Sequence, residues 1–558
     1  MLTSDPARHR CSRIARCSLL CLLRGPLAVL AEERPNILLL MAEDMSPRVG
    51  AFGDHVAVTP SIDQLAAEGV TYTNVFTTAG VCAPSRAAII MGLQQQSFGA
   101  QHMRSNTGGP AAYQPVPPAG AKAFPELLRA AGYHTQVTTK LDYQFSGPLV
   151  NSGPSSIWDQ QSYGNDLNTR VEKPFFAYMT FMETHESGIF PRWVWPQSLA
   201  HLIAQLTHIW YHRGTEDVVM PADVSVPPYY PDSPAIRTDI ARHYNNILTM
   251  DLRVGEILAQ LERDNLVDST IVVWTTDHGD ALPRAKRELY DSGLHVPMII
   301  RWPEKFRPEG AVAGSVNDRL ISLVDLGPTF LSLAGVSVPA GIHGQAFAGE
   351  QAQPERDYIY AARDRIDTVA DRQRAIRDKQ YKYIYSHDTQ AGGFRLAYRD
   401  LALGMQDLWR HLEAGRLNEV QRQWFSERPR EMLFDIESDP HEIRNVVADH
   451  AYAAVLNRLR AALQAQSDAV HDDSDGISEA VLAERFWPGG QQPKTASPSI
   501  QVDAGRLRIV SDNGASIEYR LDEGPWQLYT GPLPAPQPDR LEARAVRYGW
   551  AASDVVGK

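Results

Sequence analysis

The sequence predicts an α/β protein. Its expected parts are a mostly parallel sheet sandwiched by helices, a smaller α+β subdomain, and a small β-sandwich-like module at the end. Three observations carry this. Apolar runs of strand length alternate with helix-length segments, the pattern of βα units. Those runs are apolar at successive positions, as in strands buried on both faces. Beyond residue 499 the pattern changes to short strands separated by turn residues.

The elements follow in order. Asn36–Met41 is a buried strand, and it ends in Ala42-Glu43-Asp44. Thr59-Pro60 opens a helix, with threonine as cap and proline at the first helical position, and Gly69 stops it. Thr71–Phe76 reads as a strand. Cys82-Ala83-Pro84-Ser85-Arg86 leads into the apolar helix Ala87–Met91, placing Cys82 just before a helix N-terminus. Phe124–Ala131 is a helix, His134–Thr139 and Phe175–Met182 are strands, and Ile236–Arg263 is a long helix. Thr270–Thr276 is a strand ending at Asp277-His278-Gly279, and Val296–Arg301 is another. The expected division is a leader over 1–31, a catalytic α/β domain over 34–350, an α+β subdomain over 351–486, a linker over 487–498, and the all-β module over 499–558. Within that module Tyr519 and Trp526 read as core.

Charge and cysteine usage narrow the function. The net charge is −12, without a basic block, which argues against nucleic-acid binding through phosphate neutralisation. Three of the four cysteines, Cys11, Cys17 and Cys21, lie in a basic then apolar start that reads as a secretory leader. The expectation is an exported protein, periplasmic or secreted, with no membrane span in the mature chain. Removing the leader leaves Cys82 alone, an odd thiol that needs a chemical reason.

Two acidic pairs, Glu43-Asp44 and Asp277-His278, close predicted strands of one sheet. Open α/β sheets carry their sites at that carboxyl edge. Carboxylate oxygens there suit a hard divalent cation. A cysteine before a helix N-terminus feels the positive end of the dipole, which favours thiolate and bound oxyanions, and Arg86 adds a fixed cation. The plain alternative for Cys82 is a structural cysteine at a turn.

Cys82-Ala83-Pro84-Ser85-Arg86 resembles the Cys-x-Pro-Ser-Arg signature of type I sulfatases, in the alkaline-phosphatase-like superfamily. The resemblance runs from Arg34-Pro35-Asn36 through about Lys305 and, more weakly, to about residue 450. It takes in Thr59–Gly69, the Lys140 and His185 segments, Thr276–Gly279 and Lys286–Pro297. Arg363-Asp364-Arg365 is similar to a bacterial subgroup related to heparan N-sulfatase. The resemblance implies an alkaline-phosphatase-like fold and oxidation of Cys82 to formylglycine (3-oxoalanine) by a formylglycine-generating enzyme. It also implies a bound metal, Ca²⁺ in preference to Mg²⁺, held by Glu43, Asp44, residue 82, Asp277 and His278. Arg86 would hold the hydrated aldehyde, Lys140 and Lys286 would grip sulfate oxygens, and His185 would sit by the leaving group. His102, Arg104, Asp142, His295, Asp364 and Arg365 are the candidate substrate contacts. Solvated loop positions, or ion pairs for Asp364 and Arg365, are the bland alternative.

The implied activity is sulfate removal from a sulfated saccharide, as an ester or an N-sulfate. The chain departs from the family pattern in three places. Glu43 stands for the usual aspartate, Asp142 for a histidine after Lys140, and His278 for an asparagine. The last variant keeps a phosphodiester or phosphonate monoester hydrolase as an alternative. A non-catalytic carbohydrate-binding member is the other.

Overall fold

Asn36–Ala42 (β1) is buried along its whole length, because its two faces serve two cores. Ile37, Leu39 and Met41 join one apolar cluster, and Leu38, Leu40 and Ala42 join the other. That is the period-2 alternation of a strand covered on both sides. The computed structural model describes residues 34–105, 113–138, 140–145, 156–162, 167–171, 174–473, 477–503, 505–512, 514–534 and 541–557. The leader expected over 1–31 lies outside them. Pro35–Lys558 forms one compact unit.

The other strands of the large sheet are Val70–Phe76 (β2), His134–Thr138 (β3), Gln160–Ser162 (β4), Phe175–Phe181 (β5), Thr270–Thr276 (β6), His295–Arg301 (β7) and Ser315–Ser322 (β8). Their order is β4-β3-β5-β1-β6-β7-β2-β8. All neighbours are parallel except β7, which runs against both β6 and β2. β1 sits between β5 and β6, with Ala42 in register with Phe181 and Thr276. Three strands therefore end side by side, and the residues that follow them converge.

Helices cover both faces. Pro60–Glu68 (α1) starts with a proline in its first turn, as its sequence requires. Cys82–Met91 (α2) is buried at every position. Phe124–Ala130 (α3) lies on the cluster that holds Met41. Leu199–Tyr211 (α4) and the 30-residue Pro234–Arg263 (α5) lie on the opposite side. Cys82 is the first residue of α2 rather than a residue ahead of it, so the turn of helix begins earlier than Pro84 suggests.

Beyond residue 350 an antiparallel sheet joins Ile359–Arg363 (β9), Gln373–Arg377 (β10), Tyr381–Ser386 (β11) and Glu431–Asp435 (β12). One face receives Leu456, Leu459 and Leu463 of a helix, and the other packs on Phe76, Leu289 and Leu294. The terminal module opens on a hairpin, Ser499–Asp503 paired with Arg506–Val510. Ser516–Leu521 pairs with Leu541–Val546. Tyr519 and Trp526 are half-buried rather than core; Trp526 is flanked by the guanidiniums of Arg520 and Arg544. The module's anchor is Tyr548. It is buried in the cluster of α3, stacks on Phe145 at 5.0 Å, and accepts the Ala123 N–H at 3.2 Å.

Candidate active site

The two acidic pairs meet as the strand register requires. Asp44 N–H donates to Asp277 Oδ1 at 3.1 Å, Asp277 N–H to the Ala42 carbonyl at 3.1 Å, and Met45 N–H to the His278 carbonyl at 3.0 Å. Asp44 has a positive φ of 47°, a left-handed turn that lifts the chain off β1 at the site. Ser85 Oγ donates to the Asp277 carbonyl at 2.6 Å and pins α2 to the end of β6. Cys82 Sγ then lies 3.3 Å from His278 Nε2, 3.7 Å from Asp44 Oδ1 and 3.8 Å from Glu43 Oε2. Every one of these side chains is fully buried.

Cations surround the acids. Arg86, one helical turn after Cys82, reaches Asp277 through Nε at 3.0 Å and Glu43 through Nη2. Its Nη1 donates to the Lys140 carbonyl, Tyr178 and Thr180. Lys140 Nζ sits 2.6 Å from Glu43, and Lys286 pairs with Asp44. The longer Glu43 side chain thus spans Arg86 and Lys140 with its two oxygens.

The electrostatics follow from burial against pairing. Burial alone would raise Asp44, but Lys286 and His278 hold it well below the usual carboxylate range. Asp277 is lowered in the same way, burial being outweighed by His278 and Arg86. Burial opposes charge on His278, yet Asp277 and Asp44 push it up to about 10. His185 goes the other way: burial and then Lys286 hold it well below its ordinary value, so it is neutral at pH 7. Its Nδ1 accepts the Ser187 N–H at 3.3 Å, which leaves the ring proton on Nε2.

Donor atoms of Glu43, Asp44, Cys82 and His185 lie within 4.8 Å of one another, and so do those of Asp44, Cys82, Asp277 and His278. Three buried carboxylates and imidazole nitrogen around one point form an oxygen-rich set that fits a hard divalent cation.

The substrate candidates divide. Arg104 pairs with Asp142 at 3.0 Å, and Asp142 lies 4.0 Å from Lys140, so both belong to the wall of the site. His102 Nδ1 accepts the Arg365 N–H at 3.1 Å. Burial, then Arg365, lowers His102 to about 3. The side chain of Arg365 is taken by Glu479 at 2.7 Å, and Asp364 by Arg374 at 3.0 Å. His295 spends Nε2 on the Thr73 carbonyl at 2.7 Å and stacks on Phe76. These three side chains are engaged within the fold, Asp364 and Arg365 directly after β9 and His295 at the start of β7.

Sequence reasoning passed over Glu186 and Arg287. Glu186 N–H donates to Asp44 Oδ2 at 2.7 Å, and its carboxylate takes both Nη groups of Arg287. The signal was present: each is a charged residue directly beside a candidate, His185 and Lys286.

The sulfatase family profile matches residues 35–165 and 158–336, and that of the C-terminal part of N-sulphoglucosamine sulphohydrolase matches 284–396. An ulvan-active sulfatase of Formosa agariphila is 39% identical, over 94% of this chain and 91% of its own. N-sulphoglucosamine sulphohydrolase of Homo sapiens is 26% identical, over 85% and 97%. A solved structure in complex with its substrate D-glucosamine-2-N,6-O-disulfate is 19% identical and covers 79% of this chain and 99% of that one, with a TM-score of 0.54, which speaks to the fold.

Proposed function

The chain belongs to the sulfatase family, and from that premise we propose an exported, metal-dependent enzyme that desulfates short ulvan-type oligosaccharides through residue 82. It is a hydrolase acting on sulfated saccharide; the saccharide, the metal and the residue roles are the proposal. The observation that carries it is Cys82 Sγ lying within 4 Å of both acidic pairs at the N-terminus of a buried helix. The ulvan assignment rests on the 39% identity to a sulfatase of that activity across nearly the whole of both chains.

When bound, formylglycine at position 82 would supply a hydrated aldehyde as nucleophile, and Ca²⁺ would supply positive charge opposite the sulfate. Glu43, Asp44, Asp277 and His278 would hold the cation together with residue 82. Arg86 stays fixed by Asp277 and Glu43 and orients residue 82 from the same helix face. Lys140, paired with Glu43, and Lys286, paired with Asp44, would hold the sulfate oxygens. Burial opposes charge on both, but Cys82 and Glu43 raise Lys140, and Asp44 and Cys82 raise Lys286, so both stay protonated. Neutral His185 offers Nε2–H as a donor to the departing oxygen. Arg104 and Asp142 line the saccharide side. Maturation would need a formylglycine-generating enzyme as partner.

The test combines a mass measurement with a substrate panel. Co-expression with a formylglycine-generating enzyme should convert the residue-82 peptide from thiol to aldehyde mass and raise desulfation of ulvan oligosaccharides. Cys82→Ala should abolish it. Full turnover by the unmodified thiol would overturn the role of residue 82. Preference for aryl phosphate, or for N-sulfoglucosamine over ulvan fragments, would overturn the substrate.

A further inference from the structure

Helix α4 is turned inside out. Its buried residues are His201, Ala204, Gln205 and His208, while Leu199, Leu202, Ile203, Leu206 and Trp210 face outwards. The outward set recurs at intervals of three and four, which draws one apolar stripe along the helix. In a surface helix the stripe belongs against the core. Here the polar side is the one engaged: His201 and Gln205 bond the Pro191 carbonyl, and His208 bonds Ser187 Oγ. Those contacts brace the loop that presents Trp193 and Trp195, which are 84% and 90% exposed.

An aromatic side chain offers roughly 150–250 Å². The three tryptophans with the four aliphatic residues therefore exceed the roughly 300–600 Å² of the largest patch on an ordinary monomer. They approach the roughly 800 Å² that each partner contributes to a stable interface.

We infer that this face is where two copies of the chain meet, with α4 packed antiparallel on its counterpart. Charge chooses the occupant. Each chain carries a net −12, so two copies repel over most of their surface. From Phe190 to Tyr211 there is no acidic residue, and the lone Arg192 is turned to Asn246. The stripe is the stretch where like chains can approach without that cost. A two-fold contact is self-complementary, and a leucine-rich stripe at helical spacing matches its own copy. A membrane-surface helix would carry Lys or Arg along its polar side, and α4 carries none. A sulfated saccharide would find few hydrogen-bond partners on leucine and isoleucine.

Sedimentation of the full chain at micromolar concentration should give a dimer. Ile203→Glu with Leu206→Glu should raise its dissociation constant at least ~100-fold while circular dichroism stays unchanged, since both side chains are exposed. Ile203→Cys, near the middle of the stripe, should form a disulfide-linked dimer under mild oxidation. Val316→Cys, still more exposed on β8, should not. A monomeric wild type overturns the proposal. So does equal cross-linking of the two cysteine variants, or a monomer that co-sediments with phosphatidylcholine–phosphatidylglycerol vesicles.

Discussion

At the carboxyl edge of the large sheet, Glu43, Asp44 and Asp277 share Arg86, Lys140 and Lys286 around one sulfur. Beneath the four-stranded sheet the acids are as deeply buried but have no common centre. Arg363 faces Glu288 and Asp371, Arg374 faces Asp364 and Asp472, and Arg377 faces Asp291. Both regions keep charge out of water, so burial and ion pairing do not distinguish them. Convergence does. In the first region like-charged carboxylates are held together beside a side chain that can carry a nucleophile. In the second the acids are spread over separate cations, Asp371 between Arg363 and Arg428 and Asp291 between Arg377 and Lys382, and the result is a strut between β9, β10 and the loop ahead of β7.

The largest expected separation comes from the acids themselves. Asp277→Ala should lower kcat/KM at least ~10³-fold, the scale of losing a preorganised electrostatic partner, in a protein that still folds. Chelation should mimic it, and added Ca²⁺ should restore wild type only. Arg363→Ala should do the reverse. It leaves Glu288 buried without its guanidinium and Asp371 with Arg428 alone, a loss of about 3–5 kcal/mol by denaturant titration, with kcat per folded molecule kept. If Arg363→Ala abolished turnover in a stable protein, the two regions would not be distinct.

Lys286→Ala sharpens the comparison from within the site. Its contact strengthens as charge builds on the departing group, so kcat should fall about 10–100-fold with a smaller rise in KM. The smallest effect concerns Glu183, a buried acid outside both networks. Burial pushes it up to about 7, outweighing a backbone hydrogen bond and the more distant Arg253. Its folded-state value lies above its unfolded one, so the folded state binds the extra proton between about 4.5 and 7. Stability from this group is present at the acid end and is lost as pH rises towards 7 and beyond. Glu183→Gln should flatten the fall of Tm between pH 5 and 8 and gain on the order of 1–2 kcal/mol at the alkaline end. A Tm difference between Glu183→Gln and wild type that does not grow from pH 5 to pH 8 would contradict it.

Much of the site was legible because its parts sit at strand ends. An apolar run that stops at Glu43-Asp44, and another at Asp277-His278, place four side chains at one edge without knowledge of the sheet order. Cys82 and Arg86 followed from a short signature on one helix. Asp364 and Arg365 were not separable in this way. They share that local charge pattern, and only the placing of Arg374 on β10 and of Glu479 assigns their partners. The reversed polarity of α4 was equally hidden. Its spacing reads as an ordinary amphipathic helix, whichever side faces inwards.

The sequence by itself determined the alternation of strands and helices, the sulfatase signature and the edge at which chemistry is set. Those depend on local spacing and on which residue types a buried strand admits. Tertiary structure alone decided which buried charges converge and which merely brace. It put β1 between β5 and β6, so that Glu43, Asp44, Asp277 and His278 became neighbours across more than 230 residues. The reason is physical: a strand's period says which face a side chain takes, while its neighbours in the sheet are chosen by the packing of the whole chain.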